Sequence, residues 1–169
     1  SGRVGRYFVI VAGDMSTAQP PVETIVGAQQ IKHRRRVNPA IGQFQLAHFD
    51  YVHPTRLQPG TARRLKRPYP VSVAYADWGP ADAPVVICCG GVASVAMRFN
   101  YLASDLADKF RLICVDWVGR GRSGWLAAEA DYSLATYAEQ LRQLIMHLGG
   151  KPVTIIGSSL GGSATIELA

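Results

Sequence analysis

The stretch "PVTIIGSSLGG", residues 152–162, decides how this chain reads: an apolar run ends on a glycine, two serines follow, and a glycine pair opens a segment suited to a helix. A serine held in a sharp strand-to-helix turn has a strained backbone, and the pattern G-x-S-x-G answers that strain with tiny residues two places before and after it. For Ser159 those places are Gly157 and Gly161; for Ser158 they are Ile156 and Leu160, which are too bulky. Ser159 is therefore the candidate nucleophile. A helix opening here would present free N–H groups and the positive end of its dipole to developing negative charge. The N–H of Leu160 is thus a candidate oxyanion donor.

Working outward, the segments before the motif alternate in period. "APVVICC" (residues 83–89) and "RLICVDW" (111–117) are short continuous apolar runs of the kind that form strands buried on both faces. Between them, "FNYLASDLADKF" repeats apolar residues at Leu102, Leu106 and Phe110 like a helix. "SLATYAEQLRQLIMHLGG" places Leu134, Tyr137, Leu141, Leu144, Ile145 and Leu148 on one helical face, with Ser133 as N-cap and Gly149-Gly150 as the stop. Further upstream, "VSVAYADWG" alternates like a half-exposed strand ending at Gly79-Pro80. Strand, helix, strand, helix, strand predicts an α/β fold, a mostly parallel sheet with helices on both faces.

A second glycine pair, Gly90 and Gly91, follows "VVICC", and the N–H of Gly91 is the candidate for a second oxyanion donor. Each such donor contributes about 3 kcal/mol of transition-state stabilisation. Gly119, Gly121 and Gly124 spell G-x-G-x-x-G after a strand, the outline of a dinucleotide site. That reading needs a helix opening at the glycines and an acidic residue about 20 residues on, at the end of the next strand. Instead "WLAAEADY" intervenes before Ser133, and Glu139 lies inside the following helix. No Lys follows the glycines of "GSSLGGS", so a phosphate loop fails too. No cofactor and no metal site is expected.

The chain is long enough for one domain with its own core. Its formal charge of +6 is unevenly spread. Residues 1–67 hold eleven of the eighteen Lys and Arg and three of the twelve Asp and Glu, a local 11 − 3 = +8, leaving 7 − 9 = −2 for the rest. "KHRRR" (32–36) and "RRLKR" (63–67) make most of the excess. Neither is interleaved with aromatics or set in a nucleic-acid module, so they read as solvated basic faces and nucleic acid is not an expected partner. Residues 1–65 accordingly read as a basic N-terminal region, with a partly alternating run "QFQLAHFDYV" at 43–52, and residues 66–169 as the α/β part. Three cysteines, Cys88 and Cys89 adjacent, do not make a disulfide framework and point to a reducing, cytoplasmic compartment. "YFVIVA" and "VVICC" fall far short of the ~20 residues of a membrane span. Arg3 and Arg6 ahead of a brief apolar run that meets Asp14 do not amount to a signal peptide.

Taken together, residues from about 68 to 169 resemble the N-terminal part of the α/β-hydrolase fold: "PVVICCGG" is similar to its strand and oxyanion loop, "DWVGRGRSG" to its D-x-x-G-x-G-x-S segment, and "GSSLGG" to its nucleophile elbow. The resemblance implies Ser159 as nucleophile, the N–H groups of Gly91 and Leu160 as oxyanion hole, and Asp116, Gly119, Gly121 and Ser123 as parts of a structural loop. Where the family commonly has His-Gly, this chain has Cys89-Gly90. A serine at the elbow implies an acyl or comparable carbonyl substrate and disfavours the branches that use Asp there.

A serine hydroxyl needs a base, usually a His oriented by a carboxylate, and in this fold the acid and the His follow the serine in the chain. Ten residues follow Ser159, with Glu167 among them and no His. His33, His48, His53 and His147 all precede it, in positions that the family does not use. An apolar strand left as an open sheet edge would be an aggregation hazard, so a complementing C-terminal portion carrying acid and His is expected as partner. Two function classes follow: a serine hydrolase of a small-molecule acyl substrate through an acyl-enzyme on Ser159, with this chain alone inactive, or a non-catalytic binding or scaffold protein of the same fold.

Overall fold

Short runs of apolar, largely β-branched residues between glycine-rich turns have no polar face to offer water, and they become the interior of a sheet. The computed structural model describes residues 8–11, 44–54, 56–57, 64–65 and 68–169. At its centre Val85–Cys89 (β6) pairs in parallel with Arg111–Val115 (β7) on one side and Thr154–Gly157 (β8) on the other, Cys88 standing opposite both Cys114 and Ile156. Beyond β7 lie Tyr69–Trp78 (β5), antiparallel to it, and Phe44–His53 (β2), antiparallel to β5 from Phe44 opposite Trp78 to His53 opposite Tyr69. Beyond β8, Phe8–Val11 (β1) runs parallel to it. The sheet order is thus β1-β8-β6-β7-β5-β2. Arg56–Leu57 (β3) and Arg64–Leu65 (β4) form a separate antiparallel pair.

Asn100–Leu106 (α1), Leu134–His147 (α2) and Leu160–Leu168 (α3) cover the sheet. Because successive strand residues point to opposite faces, each central strand feeds two cores. Ile87, Cys89, Ile113, Val115 and Ile155 meet Leu141, Leu144 and Ile145 of α2 and Ala164 of α3 on one face. Val86, Cys88, Leu112 and Cys114 meet Ala96 and Ala103 on the other. This is the expected α/β architecture with both faces covered, although the sheet is mixed: four strands pair in parallel, and β5 runs against its neighbours β7 and β2.

Three local expectations change. The run "VSVAYADWG" alternates as expected only at its start, Ser72 being exposed between buried Val71 and Val73; from there Ala74, Tyr75 and Ala76 are all buried. From Val73 on, with β2 and β7 on its edges and core on both faces, β5 has no solvent side, while Pro70 and Ser72 before it are exposed. The sheet also reaches back across residue 65, because β2 supplies Phe49 and Tyr51 to the core. In the helix after β6, Leu102 is exposed and Phe110 lies beyond the C-terminus, while Ala103 and Ser104 face inward. A turn at 107–109, closed by Phe110 N–H to Leu106 C=O (3.0 Å), ends that helix early. By contrast α2 starts at the Ser133 cap and stops at Gly149 and Gly150, as its sequence predicts, with only Leu134 of its apolar face turned to solvent.

Candidate active site

At the C-terminal end of β8 the chain turns into α3 within two residues, and Ser159 takes the turn at φ +52° and ψ −117°. It is the one non-glycine residue with positive φ among the described residues. Backbone strain of this kind costs about 1–3 kcal/mol and is held only where the surroundings dictate it. They do so here through close backbone contact. A Cβ on Gly161 would stand 2.2 Å from the Cys89 carbonyl oxygen, and one on Gly157 would stand 2.7 Å from the Gly161 carbonyl carbon. The Ser158 N–H donates to Cys89 C=O (3.0 Å) and the Gly161 N–H to Gly90 C=O (3.1 Å), so the turn is tied to the end of β6. Ser159 is exposed, Ser158 half-buried.

The loop after β6 lies against this turn. A Cβ on Gly91 would be 3.3 Å from Ser159 Cβ and 3.6 Å from Ser159 Oγ. Leu160 is the first residue of α3, so its N–H is one of those that intrahelical bonding leaves over. Ser159, Gly91 and Leu160 are therefore brought together at the C-terminal ends of adjacent parallel strands, where ligands of α/β sheets bind. The loop has further supports that sequence reasoning missed. The fully buried Trp117 donates its indole N–H to Gly90 C=O (2.8 Å). The Ser94 N–H bonds Gly91 C=O (3.0 Å), and Arg120 Nε donates to Val92 C=O while its guanidinium lies 5.9 Å from the centre of the Tyr137 ring.

"DWVGRGRSG" forms the neighbouring loop. Asp116, buried, accepts the Ala96 N–H at Oδ1 (2.6 Å) and the Arg122 N–H at Oδ2 (2.9 Å). Gly121, at φ +54°, leaves room for that carboxylate, which a Cβ there would meet at 2.2 Å. Ser123 Oγ donates to Asp116 C=O and accepts the Ala74 N–H, each at 2.9 Å. Gln140, fully buried in α2, accepts the Val118 N–H (3.0 Å) and donates to Asp116 C=O (3.2 Å). Its signal in the sequence is a glutamine on an otherwise apolar helical face. No helix opens at Gly119 or Gly121; a turn and the short 3-10 helix Glu129–Asp131 come before α2.

Cys89, which stands where a His is common, points beneath the elbow rather than into the loop. Its thiol lies 3.6 Å from Ile156 C=O, 3.7 Å from Gly161 C=O and 4.0 Å from Thr165 Oγ1. Burial pushes it up to about 12, so it stays protonated at neutral pH and is no competing nucleophile. The histidines are elsewhere. His147, the last residue of α2, has Nε2 3.3 Å from the Tyr75 hydroxyl and its ring stacked on Phe49, while His53 packs among Tyr51 and Tyr69; their partners lie on β5 and β2, the third and fourth strands along from β8. His48 is exposed on β2, and His33 lies outside the described residues, as does the "KHRRR" cluster. A cavity of about 540 Å³ lined by Phe44, Gln45, Asp77, Gly79, Ala81 and Arg111 opens at the other end of the parallel strands, where Arg111 is held by Asp77.

No helix among the described residues is long and apolar enough to cross a membrane. The chain is 37% identical over 98 residues to a 3-hydroxybutyrate-oligomer hydrolase of Cupriavidus necator, covering 57% of this chain and 33% of that protein. It is 33% identical over 109 residues to a cis-3-alkyl-4-alkyloxetan-2-one decarboxylase of Xanthomonas campestris, covering 60% and 36%. It thus spans about a third of the length of these curated relatives. A putative hydrolase from Rickettsia typhi shares the fold, with a TM-score of 0.62 at 22% identity over 72% of this chain and 42% of that one. The family model of the alpha/beta hydrolase fold matches residues 83–169, just over half of the chain and the part that carries the β6 loop, the Asp116 loop and the elbow, and the protein belongs to that family.

Proposed function

We propose that the protein is a serine hydrolase that cleaves an ester or related carbonyl substrate through an acyl-enzyme on Ser159. The observation that carries this reading is the positive φ of Ser159, kept at a cost beside the Gly91 backbone and at the head of α3. In the reaction Ser159 Oγ adds to the substrate carbonyl, and a base takes the hydroxyl proton. The N–H groups of Gly91 and Leu160 hold the oxyanion, the leaving group departs with the proton, and water then releases the acid by the same steps. Base and acid are assigned to a complementing C-terminal portion of the same protein, in keeping with a chain that spans about a third of its curated relatives and with His53, His147 and His48, the histidines among the described residues, all lying away from β8. Small acyl esters are the expected substrates, in keeping with a relative named for hydrolysing hydroxybutyrate oligomers.

A fluorophosphonate probe on the full-length protein tests this. Labelling at Ser159 is expected, lost in Ser159→Ala and retained in Ser158→Ala. An intact, folded full-length protein that takes no label at Ser159 overturns the reading and favours a binding or scaffold role for the fold.

A further inference from the structure

The peptide unit joining Gly90 to Gly91 carries both the Gly90 carbonyl and the Gly91 N–H. In a trans peptide the C=O and N–H bonds point in opposite directions, and the described residues contain no cis bond. Whatever fixes the carbonyl therefore fixes the N–H. Two donors fix it: the Trp117 indole N–H at 2.8 Å and the Gly161 N–H at 3.1 Å. Of these, the Gly161 N–H is shared with Ser158 C=O at 3.0 Å, whereas the indole N–H is committed to Gly90 alone among the described residues.

The loop needs such a device. Two glycines in sequence have no side chain to restrict them, and a peptide plane between them can rotate at little steric cost. Rotation would present the carbonyl oxygen, not the N–H, to the space beside Ser159 and would repel a developing oxyanion. Trp117 is placed to prevent this: it follows the end of β7, is fully buried, and is braced edge-on by Tyr137 of α2 with ring centres 5.2 Å apart. Its ring has two rotatable bonds and no room to use them, so its N–H is a fixed point.

We infer that Trp117 is a positioning residue for the oxyanion hole, orienting the Gly91 N–H through the two ends of the Gly90–Gly91 peptide. The inference rests on the proposed acyl-enzyme at Ser159. It implies a division of labour in the loop. Trp117 sets the peptide plane from the buried side, while Arg120 holds the Val92 carbonyl, two residues on, from the exposed side.

The test uses the full-length protein with p-nitrophenyl butyrate as substrate and an aryl trifluoromethyl ketone, which forms a tetrahedral adduct on the serine, as probe of the oxyanion site. Trp117→Phe keeps the aromatic packing and removes the N–H. The expected result is a fall in kcat of about ten- to a hundredfold, with KM within about threefold and ketone affinity reduced by the same factor as kcat/KM. If Trp117→Phe does not fold, benzothienylalanine at 117, the isostere with sulfur for N–H, takes its place. Wild-type turnover with an unchanged kcat and ketone affinity in the N–H-less variant overturns the inference and leaves the function intact. A parallel loss of kcat, KM and unfolding midpoint assigns Trp117 a merely structural role and also overturns it. Absence of wild-type turnover and of Ser159 labelling removes the function and the inference together.

Discussion

Gly161 shows how much of the elbow depends on a missing atom. It lies where α3 crosses the end of β6, and the nearest neighbours of an added Cβ are the Cys89 carbonyl oxygen and carbon at 2.2 and 2.7 Å. Backbone cannot step aside as a flexible side chain can, so Gly161→Ala must push α3 away from β6 and break the ties at Gly90 and Cys89. A loss of about 3 kcal/mol, the upper end for overpacking, is expected in urea unfolding of the full-length protein, together with loss of Ser159 labelling. Ser158→Ala, at a half-buried residue whose ties to Cys89 and Gly161 run through its backbone, should stay within about 0.5 kcal/mol of wild type. Equal stability of Gly161→Ala and wild type would mean that helix and strand do not approach so closely.

Among the elements, α2 is the one whose ends are written most plainly. Ser133 Oγ accepts the Thr136 N–H (3.2 Å) and meets Thr136 Oγ1 (3.0 Å), so Ser133→Ala should lower stability by about 1 kcal/mol and Ser133→Asp should restore it, as read from thermal unfolding. Caps and apolar periodicity are local signals, which is why α2, β6, β7 and β8 could be read from the sequence. The sharp turn at Ser159 was legible in part for the same reason, since Gly157 and Gly161 meet each other within five residues, whereas the Cys89 backbone that Gly161 meets lies far off in sequence. Non-local pairing was not. The alternation of Phe49, Tyr51 and His53 marks a strand but does not say that its partner is β5, or that the second half of β5 is buried. In the same way the Trp117 contact spans 27 residues and the Arg120 contact 28, and neither residue type at its position announces what it holds. Phe110 misled because the apolar spacing outlasted the helix that it marked, and Leu102, inside that helix, is exposed while Ala103 faces inward.

At the scale of the whole molecule, both core layers carry thiols at the middle of the sheet: Cys89 on the α2 and α3 side, Cys88 and Cys114 on the α1 side. All three are free and buried. Burial pushes Cys89 up to about 12, and Cys114 is pushed up further in the same direction by its hydrogen bond to Cys88 and by burial. In the unfolded chain these thiols titrate from about pH 8.5. Below that pH both states hold the protons and the thiols contribute no pH dependence. Above it the unfolded state binds fewer protons than the folded one, so stability falls as pH rises, by up to about 1.4 kcal/mol per pH unit for each such thiol, until the folded group itself ionises. For Cys89 the window runs from about 9 to about 12. Tyr75 and Tyr137, also raised by burial, add to the slope once unfolded tyrosine ionises near pH 10. Urea midpoints of the full-length protein should therefore be flat from pH 7 to 8 and decline steadily from 8.5 to 10, before tyrosine contributes. The pair of substitutions Cys89→Ala and Cys114→Ala should lower the midpoint at pH 7 through the small cavities they leave, yet flatten the decline above pH 8.5. A wild-type midpoint that holds constant to pH 10, or a double variant that declines as steeply, would mean that the thiols do not sit in the sealed layers on either side of the sheet.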